Sequence, residues 1–218
     1  NGSKIFITHG NVGETAVVMA VTDKSLGNKG ISAFIVEKGW SGFKVGKKEN
    51  KLGMRASDTA ELIFENLEVP AENLIGEEGA GFKQALQILD GGRIAIAALS
   101  VGIAQGAFEH SLKYSLERKQ FGQSLSKFQS TQFKLSDMAT EIEAARLLTY
   151  KAAYLKEHGK DINLAASMAK YFASEIATKA TNEAIQIHGG YGFIKEFPVE
   201  KLYRDVKFMT IGEGNSEV

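Results

Sequence analysis

The chain contains no cysteine. Disulfides, thiolate zinc sites, thiol nucleophiles and CxxC redox chemistry are therefore excluded. Neither sign of charge is in excess: 26 Lys and Arg balance 26 Asp and Glu. Such a surface has no positive excess to neutralise phosphates, which argues against a nucleic-acid binder. It also lacks the composition of a disordered acidic tail. No uninterrupted run of eighteen apolar residues occurs, so no membrane contact is expected. Proline is nearly missing. Pro70 and Pro198 are the only two, and a proline inside a helix costs about 3 kcal/mol, so the stretch between them is open to long helices.

What remains, 218 residues that are 44% hydrophobic and 24% charged, is the profile of a globular protein. The chain begins Asn1-Gly2-Ser3, without a leader pattern, and stops at Glu217-Val218. A piece of a longer protein is expected.

The pattern changes near residue 76. Residues 1–75 carry short apolar runs cut by glycine and turn residues. Ala16–Val21, Ile31–Val36 and Ala60–Phe64 read as strands, with turns at Asp23–Gly30 and Gly39–Gly42. From 76 to 218 the period is helical. Phe82, Leu86, Leu89, Ile96, Leu99 and Ile103 share one face of a helix near 80–118. Phe128, Leu135, Met138, Ile142, Ala145, Ala152 and Leu155 do so near 127–158. A third helix is expected near 163–187 and a short one after Pro198. Gly122, Gly159 and Gly189 stand where the long helices should be capped. The fold class is α+β with more than one domain: a partial antiparallel β domain, then an antiparallel four-helix bundle.

Candidate sites are few. A di-iron bundle needs Glu-x-x-His, and none of His9, His110, His158 and His188 has Glu three residues earlier, so no metal is expected. Gly189-Gly190-Tyr191-Gly192 follows a helix rather than a strand, so it is a turn and not a dinucleotide fingerprint. Asp90 and Arg93 share a helix face. Between them Gly91-Gly92 costs roughly 1 kcal/mol per residue against alanine, which suits a helix that something must approach closely. Arg118-Lys119-Gln120-Phe121-Gly122 reads either as a basic helix end or as an anion site beside an aromatic platform. Glu213, between Gly212 and Gly214, is either a solvated turn residue or an accessible base.

Taken in order, these segments resemble the acyl-CoA dehydrogenase flavoprotein family, most closely its short-chain members. The most specific match is Gln186-x-x-Gly189-Gly190-x-Gly192-Phe193-x-x-Glu196-x4-Lys201-x3-Asp205. Supporting matches are Lys4–Thr8, Leu89–Arg93, Arg118–Gly122, Phe128-Gln129, and Tyr203-Arg204-Asp205 leading to Glu213-Gly214. The resemblance covers essentially the whole chain. It implies the latter part of a middle β domain (1–75) and most of a helical C-terminal domain (76–218).

It further implies FAD-dependent oxidation of a short-chain acyl-CoA to the trans-2-enoyl-CoA. Glu213 would remove the α-proton as hydride passes to flavin N5. Asp90, Arg93 and Gly214 would hold the substrate. Phe6, Ile7 and Thr8 would lie by the flavin ring. Arg118, Phe121, Gln129, Gln186, Gly189 and Gly190 would hold the pyrophosphate and adenosine of a neighbouring subunit's FAD, and Asn215 and Glu217 would also reach the cofactor. Electron-transfer flavoprotein is the implied acceptor and a homotetramer or homodimer the implied assembly. A bacterial cytoplasm is expected, with a mitochondrial matrix as the alternative. Some family members carry the base just before the arginine that matches Arg93. Here that residue is Gly92, which leaves Glu213. The family usually has Tyr before that Glu and Thr after the glycine. Gly212 and Asn215 stand there instead, and Gly212 is expected to open volume beside the base. The remaining readings are an acyl-CoA oxidase, a dehydrogenase for another acyl group, or a non-catalytic flavin-scaffold oligomerisation module.

Overall fold

The structure is a computed structural model that describes residues 1–217. It divides into two compact units, Asn1–Ile88 and Leu89–Val218.

The first unit is built on five strands, β1 (Gly2–Thr8), β2 (Thr15–Val21), β3 (Ile31–Glu37), β4 (Phe43–Lys48) and β5 (Thr59–Phe64). All pairings are antiparallel. One sheet has the order β1-β5-β4 and the other pairs β2 with β3. The apolar runs expected as strands form β2, β3 and β5. Val36 of β3 and Leu62 and Phe64 of β5 make the buried core, and Phe43 meets Phe64 edge to face at 5.5 Å. The segment expected as a turn at Asp23–Gly30 holds a short 3-10 helix, Lys24–Gly30, whose start is capped by the Asp23 carboxylate accepting from the Ser25 N–H at 2.8 Å.

β5 has an irregular partner on each side. Lys4 faces Leu62 while Ile7 faces Ala60, so β1 carries an extra residue opposite Glu61. Val45 faces Leu62 while Lys48 faces Ala60, so β4 does the same. A bulge re-aims a side chain. On β1 it places Phe6 at φ 56° with its ring well exposed.

The second unit holds three long helices. α1 (Gly81–Glu117) begins in the first unit, where Gly81 leaves no room for a Cβ against Ser32 and Ala33. A two-strand hairpin, β6 (Lys119–Gln120) and β7 (Gln123–Ser124), follows. Then come α2 (Gln129–Glu157), α3 (Asn163–His188) and the short α4 (Val199–Val206). Side-chain bonds fix the directions. Arg146 reaches Gln105 from α2 to α1 at 2.8 Å, and Lys134 and Lys179 pair with Glu183 and Glu141 between α2 and α3. The two α2–α3 pairs run in opposite sequence order, and α1 meets α2 at Gln105–Arg146 and at Gly91–Lys156, also in opposite order, so α2 is antiparallel to both neighbours. α1 and α3 run parallel.

The expected face of α2 is buried, with Leu135, Met138, Ile142, Ala145 and Ala152 inside. The expected face of α1 is buried only in part. Ile103 is inside and Leu89 and Ile96 are half-buried, but Phe82, Leu86 and Leu99 are exposed, and most of the buried stripe is Ile94, Ala97, Val101, Ala104 and Ala107, continued by Ser111 and Ser115. α3 offers a matching stripe, Ala166, Ala169, Ala173, Ala177, Ala180 and Ala184. Both helices bury mostly small side chains, so bulk is a poor guide to which face is inside. Ala107, Ala184 and Val199 meet where α1, α3 and α4 converge. By length and composition alone α1 is apolar enough to cross a bilayer. No uninterrupted apolar run signals this in the sequence, because glycine, serine, glutamine and charged residues break each run.

Two helix ends behave as expected. Gly159, at φ 62°, donates to the Lys156 carbonyl while Lys160 donates to Leu155, closing α2. Gly189, at φ 60°, closes α3. Gly122 does not cap α1, which stops at Glu117. With Phe121 at φ 51° and Gly122 at φ 81°, the pair forms the tight turn of the β6–β7 hairpin, where both central residues need positive φ.

At the last turn of α3, buried His188 stacks on Tyr114 at 4.3 Å and meets Phe197 edge on at 5.9 Å. Its Nδ1 donates to the Ala184 carbonyl at 2.8 Å. Burial pushes its pKa below the usual histidine value of 6.5, and His110 adds to this. The unfolded chain then binds a proton that the folded one resists, so stability is full above about pH 6.5 and falls as pH drops below it. The melting temperature should fall between pH 7.5 and pH 5.5, and by less in His188→Phe.

Candidate active site

Two clusters stand at opposite ends of the bundle. The first joins the start of α1, the start of α3 and the loop after α4. Arg93 Nη1 donates to Asp90 Oδ1 and to Ser167 Oγ, each at 3.2 Å. Glu213 lies against α1 at Gly92, where a Cβ would stand 2.5 Å from its Oε2 and 2.7 Å from its Cδ. Any side chain at 92 would collide with the carboxylate. A Cβ at Gly91 would lie 2.8 Å from Lys156 Nζ, the far end of an exposed and flexible side chain that can move aside. Of the two glycines inside α1, it is Gly92 that marks a close approach to the helix.

Glu213 Oε2 is buried and has no hydrogen-bond partner within the protein. A buried carboxylate oxygen without a donor is costly and calls for a functional reason. The backbone around it is also unusual. Glu213 sits at φ 55° and Gly214 at φ 106°, and left-handed conformations held at residues with side chains gather at functional sites. The amine of Lys170 donates to the Gly214 carbonyl at 2.5 Å. Lys170 is buried, and that burial holds its pKa below the usual lysine value.

Gly212 does not open the volume expected of it. A Cβ there would lie 2.6–3.1 Å from atoms of the Phe208 ring. The ring from one turn earlier occupies the space beside the base. Asn215 and Glu217 are exposed and bonded locally, with the Glu217 N–H donating to Asn215 Oδ1 at 3.4 Å.

The second cluster joins the far ends of α1 and α3. Arg118, Tyr114, His188, Gly189 and Gly190 line a cavity of about 430 Å³. The Arg118 guanidinium lies 5.5 Å from the centre of the Tyr191 ring. Nothing stands within 4 Å of where Cβ atoms of Gly189 and Gly190 would be, so their backbone is bare. Phe121 is 93% exposed and touches Phe128 edge on at 6.4 Å. Gln129 and Gln186 are exposed and lie outside the cavity lining. An arginine, open glycine backbone and an exposed aromatic ring form a cradle fit for a phosphate joined to a flat ring system. In the first unit, Ile7 and Thr8 line a separate cavity of about 350 Å³ beside β2.

The predicted residues therefore fall in three places. Asp90, Arg93, Glu213 and Gly214 come together, as do Arg118, Gly189 and Gly190, while Phe6, Ile7 and Thr8 stand on the β1 bulge. Sequence reasoning missed Ser167, Lys170 and Phe208. Lys170 had a visible signal, since a lysine interrupts the alanine stripe of α3. Phe208 had none. Among the described residues no group of three metal-binding side chains occurs.

Comparison with known proteins follows this division. Residues 1–67 match the family model for the acyl-CoA dehydrogenase middle domain, and residues 79–218 match that for the acyl-CoA dehydrogenase C-terminal domain. The whole chain is 55% identical to a short-chain specific acyl-CoA dehydrogenase of Clostridium acetobutylicum and spans 58% of that protein's length. It superposes on butyryl-CoA dehydrogenase of Megasphaera elsdenii with a TM-score of 0.98 at 53% identity, covering all of this chain and 57% of that one. A structure described as the electron transferring flavoprotein of Acidaminococcus fermentans gives 0.98 at 57% identity, again over all of this chain and 57% of that one.

The Phe208–Gly212 pair can be tested. Gly212→Ala forces the ring aside and should cost about 1 kcal/mol, the low end for overpacking because the ring is partly exposed. Phe208→Ala in the same chain should remove most of that penalty. Urea unfolding of the two single variants and the double variant measures the coupling.

Proposed function

Because the chain belongs to the acyl-CoA dehydrogenase family, we propose that the protein it represents oxidises a short-chain acyl-CoA to the trans-2-enoyl-CoA. The observation that carries this reading is the buried, unpartnered Glu213 oxygen held against bare helix at Gly92, beside the Asp90–Arg93 pair. FAD, when bound, supplies the acceptor for the hydride that leaves the β-carbon.

The chain's own task is the proton. An α-proton of a thioester is weakly acidic, so it must be removed by a base that is close, dry and not occupied by another donor. Glu213 meets these conditions through the absence of a side chain at 92. Asp90 and Arg93 orient the acyl-CoA over that stretch of α1, and Gly214 leaves the backbone bare at the thioester. The Glu213 N–H would then stabilise the developing negative charge on the thioester oxygen.

Phe6, Ile7 and Thr8 are proposed to hold the flavin ring, aided by Asn215 and Glu217. Arg118, Phe121, Gln129, Gln186, Gly189 and Gly190 would hold the pyrophosphate and adenosine. Twenty-one residues of α1 separate Arg93 from Tyr114, about 32 Å of helix. One extended cofactor cannot touch both clusters of a single chain. Each FAD is therefore shared between two copies, the base from one and Arg118 from the other, which makes the active form a homodimer or homotetramer. Electron-transfer flavoprotein is the proposed acceptor, supported by the likeness to the Acidaminococcus structure.

Two outcomes test the reading. In an anaerobic titration followed by flavin absorbance, butyryl-CoA should bleach the flavin at lower concentration than octanoyl- or isovaleryl-CoA. Glu213→Gln should keep its FAD and lose bleaching by at least about a thousandfold. Co-assembly separates the two clusters. Arg118→Glu alone should lose FAD and activity, and hybrids of Arg118→Glu with Glu213→Gln should recover part of the activity. No recovery in verified hybrids would place both clusters at one chain's own site.

A further inference from the structure

Among the described residues Lys170 is the only buried lysine. It lies one turn beyond Ser167 on α3, so adjacent positions of one helix face bind Arg93 and the Gly214 carbonyl. Its charge is surrounded on several sides. Arg93 on α1 opposes it, while Glu175 on α3 and Glu213 and Glu217 on the loop favour it. The loop needs an external tie. Glu213 and Gly214 both sit at positive φ, and Glu213 Oε2 has no donor of its own. Other bonds of this segment are internal: Gly212 donates to Phe208, and Ser216 to Thr210. Among the described residues, the Lys170 amine makes the one hydrogen bond that links residues 212–215 to another element.

We propose that Lys170 is a positioning residue: by holding the Gly214 carbonyl it fixes the backbone of residues 213–214 and so aims the Glu213 carboxylate at the substrate's α-carbon. The proposal rests on Glu213 being the base. Lys170 transfers no proton to substrate. It keeps an unpartnered carboxylate in one direction by constraining the peptide units on its C-terminal side.

The test uses the flavin-loaded full-length protein with butyryl-CoA. Lys170→Met should keep FAD and fold, and KM should stay within about twofold, because Asp90 and Arg93, the charged side chains assigned to substrate binding, are untouched. The flavin-reduction rate should fall at least tenfold, because the carboxylate is no longer aimed, and its pH profile should differ from that of the wild type. Amide hydrogen exchange should quicken over residues 209–217 and stay unchanged over α1 and α2. Lys170→Arg, which keeps a charged donor, should recover most of the rate. If Lys170→Met fails to fold, Lys170→Gln is measured against the same criteria. A wild-type rate and pH profile in the folded variant would overturn the proposal. So would a loss expressed entirely in KM, which would make Lys170 a binding residue. Glu213→Gln run in parallel separates the two claims. If it reduces flavin normally, the base assignment itself fails. If it is inactive while Lys170→Met is normal, only the role of Lys170 fails.

Discussion

The site depends on one close approach, the Glu213 carboxylate against the backbone of α1 at Gly92. Helix interiors disfavour glycine because it loses more conformational freedom on folding than alanine, by about 1 kcal/mol. α1 accepts that cost twice in succession and remains continuous from Gly81 to Glu117. The long register with α3 makes this tolerable. Alanine and serine line α1 beyond the glycines and line α3, so the packing that begins at Ile94 holds the helix just past the point where its own propensity is weakest.

The same register places the two ends of the molecule. Arg93 meets Ser167 across 74 residues of sequence, and Tyr114 stacks on His188 at the same separation. Two parallel helices in constant register therefore place the Glu213 carboxylate near one end and Arg118 with the open backbone of Gly189 and Gly190 at the other. On the proposed reading, a cofactor that needs both ends must be divided between copies.

Much of this was legible in the residues. The apolar runs of β2, β3 and β5 and the proline-free helical stretch gave strands and long helices with ends displaced by a few residues at most. β4 was hidden because Lys44, Lys47 and Lys48 break its apolar pattern while Phe43 and Val45 still reach the core. The inner face of α1 was assigned only in part, with Ile103 inside but Leu86 and Leu99 out, because hydrophobic size was taken as the sign of burial and this helix buries mostly alanine and serine. Gly122 was taken for a cap because a helix end and a tight hairpin ask for the same left-handed backbone. The site residues were brought forward by resemblance. Periodicity left Glu213 open between a solvated turn and a base.

The residues that sequence reasoning passed over share a physical character. Ser167, Lys170 and Phe208 act through space on a loop distant from them in the chain or folded back upon it, and no local rule names such partners. Lys170 could be noticed only as an inconsistency, a charge on a stripe of alanine. That inconsistency has a counterpart in the loop, where a glutamate holds a glycine-like backbone and a carboxylate oxygen goes without a donor. Each is unfavourable alone. Together they are complementary: the buried amine needs an acceptor, the Gly214 carbonyl supplies it, and the bond leaves the carboxylate uncommitted. If the amine bonded the carboxylate directly, it would satisfy both charges and occupy the base. Directing the lysine to the neighbouring carbonyl ties the loop down while leaving the Glu213 carboxylate open, as its proposed role as base requires.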